Sequence, residues 1–504
     1  MNRAFYTFDT PIGHGEGLLR LLHDIPSTDF TTNTNENAAW KILSFSLTLS
    51  SLRNHPELAR DLRPRGIESG VRTTSRSWFD VREEEMEFLQ DDPQVIIVGA
   101  AQCGLMLAAR LKRLGVRTLL VEKTARLGDI WRQRYQTLTI NSYIWSDHFP
   151  YLKFPDCWPI SAPKDRMAGW LESYANIMDL RVWLGSTVEP DSTSYDEATG
   201  LYTLKIRRGD GSLRELKTQH IVLATGTAGE PNIPTFKSTE NFQGVLMHSS
   251  RYQNCPEWKG KKAVVVGGGN SGHDICQEFY NAGAEVTMVQ RSQTYIISEA
   301  GLGVLLKPFY NEGGPPTEDS DLAIASFPQR ANLPYATKAY ETICEMDKPL
   351  HDGLKKAGFL LDEESKGLFI KYYEKGGGHY INTGCSDLIV EGKVKLKAGH
   401  EVSHFESNGI RMADGTFLEA DIVVLATGYK SMRESTRKIL GSTIADKTGP
   451  VWGYDHEGEI QGVWRRSGHP GFWYMGGNFV LSRIYSQYLA LQIKAMVEGI
   501  VKTI

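Results

Sequence analysis

The chain is poor in what most function classes need. Its six cysteines (Cys103, Cys157, Cys255, Cys276, Cys344 and Cys385) include no C-x-x-C pair. That excludes a dithiol redox centre and a zinc knuckle, and scattered thiols suit a reducing compartment. No surplus of positive charge exists: 56 Lys and Arg against 60 Asp and Glu give a formal net charge of −4. Nucleic acid is therefore not an expected partner. No run approaches the roughly 18 apolar residues of a membrane span. The stretch Met1 to Leu22 carries Asp9, His14 and Glu16 where a secretory leader needs an apolar core. The final Lys-Thr-Ile is no peroxisomal address. A cytoplasmic protein without a membrane anchor is expected. No metal-ligand spacing, Ser-His-Asp set or carboxylate pair is legible either.

Glycine is in excess, at 49 of 504 residues against an average of about 7%. The length suggests about three domains at roughly 150 residues each. With 41% hydrophobic residues, the core is large enough to be stable without disulfides.

Residues 1–92 carry no evident chemistry. Asn33 to Asn37 is turn-like, Trp40 to Leu52 fits a strand or a short helix, and Arg82-Glu-Glu-Glu lies on a solvated helical face of a charged connector. At Gln94 the pattern sharpens. Val95 to Val98 is a short apolar run ending in Gly99, Leu105 to Leu114 continues at helical spacing, and Val116 to Val121 ends in Glu122. This reads as a βαβ unit with a buried parallel strand. Ala263 to Val289 repeats it, and each half has a strand running into Ala-Thr-Gly, at Ile221 to Gly226 and Ile422 to Gly428. An amphipathic helix is predicted over Ser482 to Val501, with Ile484, Tyr488, Leu491 and Ala495 on one stripe.

The first turn, Gly99-Ala-Ala101-Gln102-Cys-Gly104, is a G-x-G-x-x-G fingerprint with Ala101 at its middle glycine. In that motif the glycines allow a tight turn, close approach of a pyrophosphate, and helix–strand packing. Glu122, 18 residues past Gly104, is placed to accept from ribose hydroxyls, which suits FAD or NAD. A Gly-rich turn of an unrelated α/β protein would look similar. The second turn, Gly267-Gly268-Gly269-Asn270-Ser271-Gly272, is complete. Its second strand ends in Arg291-Ser292, without an acid, which suits the 2′-phosphate of NADPH. The alternative is a surface arginine at a strand end. Two such folds suggest hydride passing from NADPH to a bound flavin.

Phe242-Gln-Gly244-Val-Leu-Met-His248-Ser-Ser-Arg-Tyr252 precedes the second fold. It fits F-x-G-x-x-x-H-x-x-x-[YF], and the chain over roughly 93–504 resembles the class B flavin-containing monooxygenases, including YUCCA-like and fungal members. Leu425-Ala426-Thr427-Gly428-Tyr429, Gly128-Asp-Ile-Trp131-Arg132 and Phe154-Pro155 resemble further family signatures. Tyr252 stands where Baeyer–Villiger members carry Trp followed by Pro or Asp.

The resemblance implies an α/β fold of two Rossmann-like domains, the NADPH domain inserted in the FAD domain. The boundaries expected are 93–229 with 430–504 for FAD and 230–429 for NADPH. Residues 1–92 are an extension that faintly resembles a truncated NTF2-like module. It implies FAD and NADPH as cofactors, O2 and a small molecule as substrates, and oxygenation through a flavin C4a-hydroperoxide. Nitrogen hydroxylation of a specialised metabolite, in some cases to a nitrone, is the leading expectation. Sulfur oxidation, Baeyer–Villiger insertion and oxidative decarboxylation of a 2-oxo acid are the alternatives, and a redox sensor without turnover is the rival from another class. A homodimer is carried as the assembly expectation.

Asn141 and His248 are the catalytic candidates. Asn141 matches the Asn-Ser of animal-type members, where YUCCA-like relatives tend to have His, and its alternative role is a turn cap. His248 is expected mainly to order the interdomain linker. The cofactor set is completed by Lys123, Thr225, Gly226, Gly477 and Asn478. Gly376-Gly-Gly-His379-Tyr380 resembles a fungal segment and reads as a tight turn or a substrate contact.

Overall fold

The computed structural model describes residues 2–23, 40–64, 77–254, 256–364 and 367–502. The turn expected at Asn33 to Asn37, and Cys255, lie outside them.

Short β-branched runs buried on both faces make two five-stranded parallel sheets. The first has the order Phe472–Tyr474, His220–Leu223, Val95–Val98, Thr118–Val121, Val182–Trp183. The second has the order Val245–His248, Ile422–Leu425, Lys262–Val266, Glu285–Gln290, Lys395–Ala398. In both, the strand entering Ala-Thr-Gly pairs directly with the strand entering the Gly-rich turn. The helices Gln102–Arg113 and Asn270–Asn281 follow those turns and bury Leu105, Leu107, Ile275 and Phe279. The fold class is thus α/β with two Rossmann-type units.

The chain crosses between the units twice, and the crossings are tied together. The Asn232 amide donates to the Gly428 carbonyl at 2.9 Å, and Lys430 to Glu230 at 2.8 Å. The Thr427 hydroxyl donates to the Asn232 carbonyl at 2.6 Å.

The described residues before Gln94 form more regular structure than their sequence suggests. Gly13–His23 is the centre of an antiparallel sheet with Asn2–Asp9, Trp40–Phe45 and Thr48–Leu52. The Trp40 to Leu52 segment is therefore two strands, its extended form selected by pairing with Gly13–His23. The connector forms the helix Trp78–Glu87, opened by a Ser77/Asp80 capping box. Glu83 to Glu85 are exposed as expected, while Arg82 donates to the Asp179 carbonyl at 2.5 Å and Arg181 reaches Glu85 at 2.7 Å.

The last helix differs from its amphipathic expectation. It spans Phe479–Val497 and buries Ser482, Arg483, Ser486, Ala490, Ile493 and Lys494 as well as Ile484, Leu491 and Ala495 of the expected stripe, whose Tyr488 is only half-buried. It is covered on several sides, by Gln102–Arg113, by Thr317–Ala325 and by the strand Thr48–Leu52. Among the described residues no helix is long and apolar enough to cross a membrane, and no group of three or more His, Cys, Asp or Glu could hold a metal.

Candidate active site between two dinucleotide turns

The two turns are built alike. A Cβ on Gly104 would lie 2.0 Å from the Gly99 carbonyl oxygen, and one on Gly272 would lie 2.0 Å from that of Gly267. Helix and turn meet so closely that only hydrogen fits. Neither helix N-terminus has a side-chain cap. Their first N–H groups, Gln102 and Asn270–Ser271 among them, are left for an anion.

At the first turn the Glu122 carboxylate accepts from the Ala100 amide at 2.9 Å and from the Thr124 amide and hydroxyl at 2.9 Å each. It is held against the turn with acceptor capacity to spare. The Thr225 hydroxyl is buried with no partner in the structure, and Gly226 follows at positive φ. The last helix also begins here. Asn478 caps it by accepting from the Leu481 amide at 2.9 Å, Gly477 precedes it, and Ser482 in its first turn lies 3.1 Å from the Cys103 sulfur. Two helix N-termini therefore converge on one place. An orphaned hydroxyl, a fixed carboxylate and two positive helix ends fit an adenine dinucleotide.

Lys123 is exposed. Gly128 packs on Ala168, whose carbonyl oxygen would lie 2.5 Å from a Cβ there. The Trp131 ring stacks on Phe479 at 6.0 Å, and its buried N–H has no partner in the structure. Arg132 is spent on the Leu127 carbonyl, Asp129 and Glu172, at 2.6, 3.0 and 2.7 Å.

At the second turn a Cβ on Gly269 would meet only the His379 carbonyl, at 3.7 Å. Asn270 accepts from the Ile381 amide at 3.1 Å. The strand His379–Asn382 thus lies beside this helix start, and the Tyr380 ring stacks on His273 at 3.9 Å. Burial holds the His379 imidazole down at about 4, so it is neutral. Arg291 and Ser292 are exposed at the strand end, and Arg291 forms no ion pair or hydrogen bond among the described residues. A free cation beside an open turn fits a nucleotide carrying a 2′-phosphate.

The second Ala-Thr-Gly lies on the crossing. Ala426 backs Gly267, Thr427 holds Asn232, and the Gly428 carbonyl accepts from His248 Nε2 at 3.0 Å. His248 Nδ1 accepts from the Ser250 amide at 3.1 Å, which fixes the neutral tautomer. Burial lowers its pKa. The Tyr429 ring stands edge-on to it at 5.4 Å. Tyr252 is buried against Phe279 at 5.2 Å.

Asn141 lies on a segment strung between the two units. Upstream, the Thr137 amide donates to Glu278 at 2.9 Å, and downstream the Tyr143 hydroxyl donates to the Glu299 carbonyl at 2.8 Å. Asn141 is half-buried, and its amide makes no hydrogen bond to protein among the described residues.

A pyridine nucleotide-disulphide oxidoreductase family model matches residues 96–313. The probable indole-3-pyruvate monooxygenase YUCCA3 of Arabidopsis thaliana is 30% identical over 341 residues, 67% of this chain and 73% of that protein. The indole-3-pyruvate monooxygenase YUCCA1 of Oryza sativa subsp. japonica is 29% identical over 69% and 80%. The chain belongs to the YUCCA-like flavin-containing monooxygenase family. A flavin-containing monooxygenase from Stenotrophomonas maltophilia shares the fold at a TM-score of 0.53, with 18% identity over 81% of this chain and all of that one. A cyclohexanone monooxygenase does so at 0.58, with 16% identity over 81% and 88%. This monooxygenase uses FAD and NADPH, with O2 and an organic substrate. The expectation of a sensor without turnover gives way to it.

Sequence reasoning missed Glu230 and Asn232 at the crossing, and Asp147 and Arg483 around the Asn141 loop. Lone polar residues outside a motif carry no local signal.

Proposed function

We propose that this monooxygenase oxygenates a nitrogen of a small specialised-metabolite substrate, giving a hydroxylamine or, from a ring amine, a nitrone. One observation carries the reading: the Asn141 amide is half-buried at the seam between the two units and has no hydrogen bond to protein among the described residues. An amide donates and accepts, so it can steady a reacting oxygen atom without protonating it. When bound, the flavin reduced by NADPH supplies the activated oxygen. The chain's own residues bind, orient and exclude water. Glu122 and Thr225 hold the FAD ribose and pyrophosphate region, Arg291 holds the NADPH phosphate, and His248 orders the crossing. Residues 93–229 with 430–504 act as the FAD domain, 230–429 as the NADPH domain, and 1–92 as an NTF2-like extension. The working protein is a cytoplasmic homodimer with no nucleic-acid or membrane partner.

The test is a screen of amines for substrate-stimulated NADPH oxidation, with products read by mass for one added oxygen. Asn141→Ala should raise hydrogen peroxide released per NADPH several-fold, and unchanged coupling removes its role.

A second reading is oxidative decarboxylation of an aromatic 2-oxo acid. The names of the relatives favour it. So does a cleft of about 550 Å³ beside the Asn141 loop, lined by Ile144, Trp145, Lys153, Phe154, Trp158 and Tyr310. Loss of CO2 from indole-3-pyruvate, with no oxidation of amines, would decide for it.

A further inference from the structure

Asp147 is a buried carboxylate that the reaction as described does not use. It is 2% exposed, and no Lys, Arg or His of the described residues forms an ion pair with it. Its two oxygens accept from the Ser142 hydroxyl at 2.6 Å and the Ser146 hydroxyl at 2.8 Å. Ser142 directly follows Asn141.

The hydrogen bonds around it cannot all form at once when Asp147 is ionised. The Ser146 hydroxyl lies 2.7 Å from the Tyr143 carbonyl as well as 2.8 Å from Asp147. A hydroxyl has one proton to give, so Ser146 serves either Asp147 or the Tyr143 carbonyl, which in both cases keeps the Ser146 amide at 2.8 Å. A proton on Asp147 removes the conflict: the carboxyl donates to Ser146, and Ser146 donates to Tyr143. The loop therefore has two hydrogen-bonded arrangements that differ by one proton.

The far end of the loop does not share this freedom. Arg483 on the last helix donates to the Ser146 and His148 carbonyls at 2.6 and 2.8 Å. Asp321 holds Arg483 through two bonds of 2.7 and 2.6 Å. The part left to respond is Asn141 to Tyr143, which reaches the other unit through the Tyr143 hydroxyl.

We propose that Asp147 is a positioning residue for Asn141: its ionised form accepts charge-assisted bonds from both Ser142 and Ser146 and holds the Asn141 turn in its productive place, and its protonated form keeps only a weaker, neutral bond from Ser142 and so loosens that turn. This rests on the reading of Asn141 given above. Burial, the largest influence, lifts the Asp147 carboxyl to about 6, against the lowering effect of Ser142, Ser146 and Arg483. The charged and titratable groups packed around it are Arg483, Asp321, Tyr310 and His148. Arg483 stays charged, burial raises Tyr310, and burial holds His148 at about 4. Arg483, Tyr310 and His148 therefore keep their charge state near pH 6.

Asp147→Asn copies the protonated arrangement, since the amide donates to Ser146 and accepts from Ser142. Hydrogen exchange of the peptide 141–150, in the holoenzyme without substrate and corrected for intrinsic rates, should show protection falling as pH drops from 8 to 5, centred near pH 6. Asp147→Asn should sit at the low-protection level throughout. Peroxide released per NADPH should follow the same step, rising several-fold below pH 6 in the wild type and flat in Asp147→Asn. Ser142→Ala removes one donor to the carboxylate and should move the step to higher pH, which serves if Asp147→Asn folds poorly. No step in the wild type, or a step unchanged in Asp147→Asn or in Ser142→Ala, overturns the proposal. The Asn141 reading fails separately, when Asn141→Ala couples as well as wild type while the exchange step persists.

Discussion

Ala101 and Gly269 hold the same place in the two turns with nearly the same backbone, φ −85° and ψ −167° against φ −91° and ψ −173°. Both angles are ordinary extended values that any L-residue adopts. The missing middle glycine at Ala101 is therefore no strain on the fold.

The two kinds of glycine should separate in mutants. Gly269→Ala should fold normally, since its Cβ finds 3.7 Å of room, and weaken NADPH binding by no more than a few-fold. Gly272→Ala should lose several kcal/mol, as overpacking against rigid backbone does, because its Cβ would lie 2.0 Å from a carbonyl oxygen. Ala101→Gly should keep FAD affinity, as Gly is the better helix N-cap. Thermal melts and flavin content of the three variants check this. Equal stability of Gly272→Ala and wild type would contradict it.

Arg291→Ala should raise the NADPH KM far more than the NADH KM. A charge-assisted bond of about 1.5–3 kcal/mol corresponds to roughly ten- to hundredfold. Steady-state kinetics with both nucleotides decides, and an equal rise for both means that Arg291 does not read the phosphate.

Acid should unfold the protein through its histidines. Burial holds His148, His220, His273 and His379 at about 4 and lowers His248. Groups whose folded pKa lies below the unfolded value of about 6.5 stabilise above that pH and lose this as pH falls toward 4. Asp147 and Asp274, raised to about 6 by burial, act in the opposite sense over the same window but are fewer. Net proton uptake on unfolding should therefore cost about 1.4 kcal/mol per proton per pH unit. Urea titrations at pH 7, 6 and 5 measure the slope, and a midpoint that rises on acidification refutes it.

Arg20→Met should loosen the N-terminal sheet. The guanidinium is 2% exposed and donates to the Ser326 carbonyl and hydroxyl at 3.2 and 3.1 Å, to Ser44 at 3.2 Å and to the Ala323 carbonyl. It caps the C-terminal end of Thr317–Ala325 with no carboxylate partner among the described residues. Losing it strands buried acceptors at about 1–3 kcal/mol. The melting temperature should drop while flavin content stays, and loss of flavin would show that the N-terminal sheet shapes the cofactor site.

The sequence by itself determined the two Rossmann units, their cofactors and the family, because each rests on contiguous residues. An apolar run of four, a turn whose glycines leave room for backbone, and a charged strand end act within one βαβ unit, so they are readable in order. The tertiary structure alone decided the rest. Burial of the last helix on several sides depends on the strand Thr48–Leu52, more than 400 residues away in the chain. The place of Arg132 beside Glu172 depends on the packing of a later helix. The lacing of Glu230 and Asn232 to residues 427–430, and the seating of Asp147 behind Asn141 with Arg483 at its back, join segments far apart in sequence. Such contacts follow from how packed elements exclude water and satisfy buried polar groups, and no local spacing encodes them.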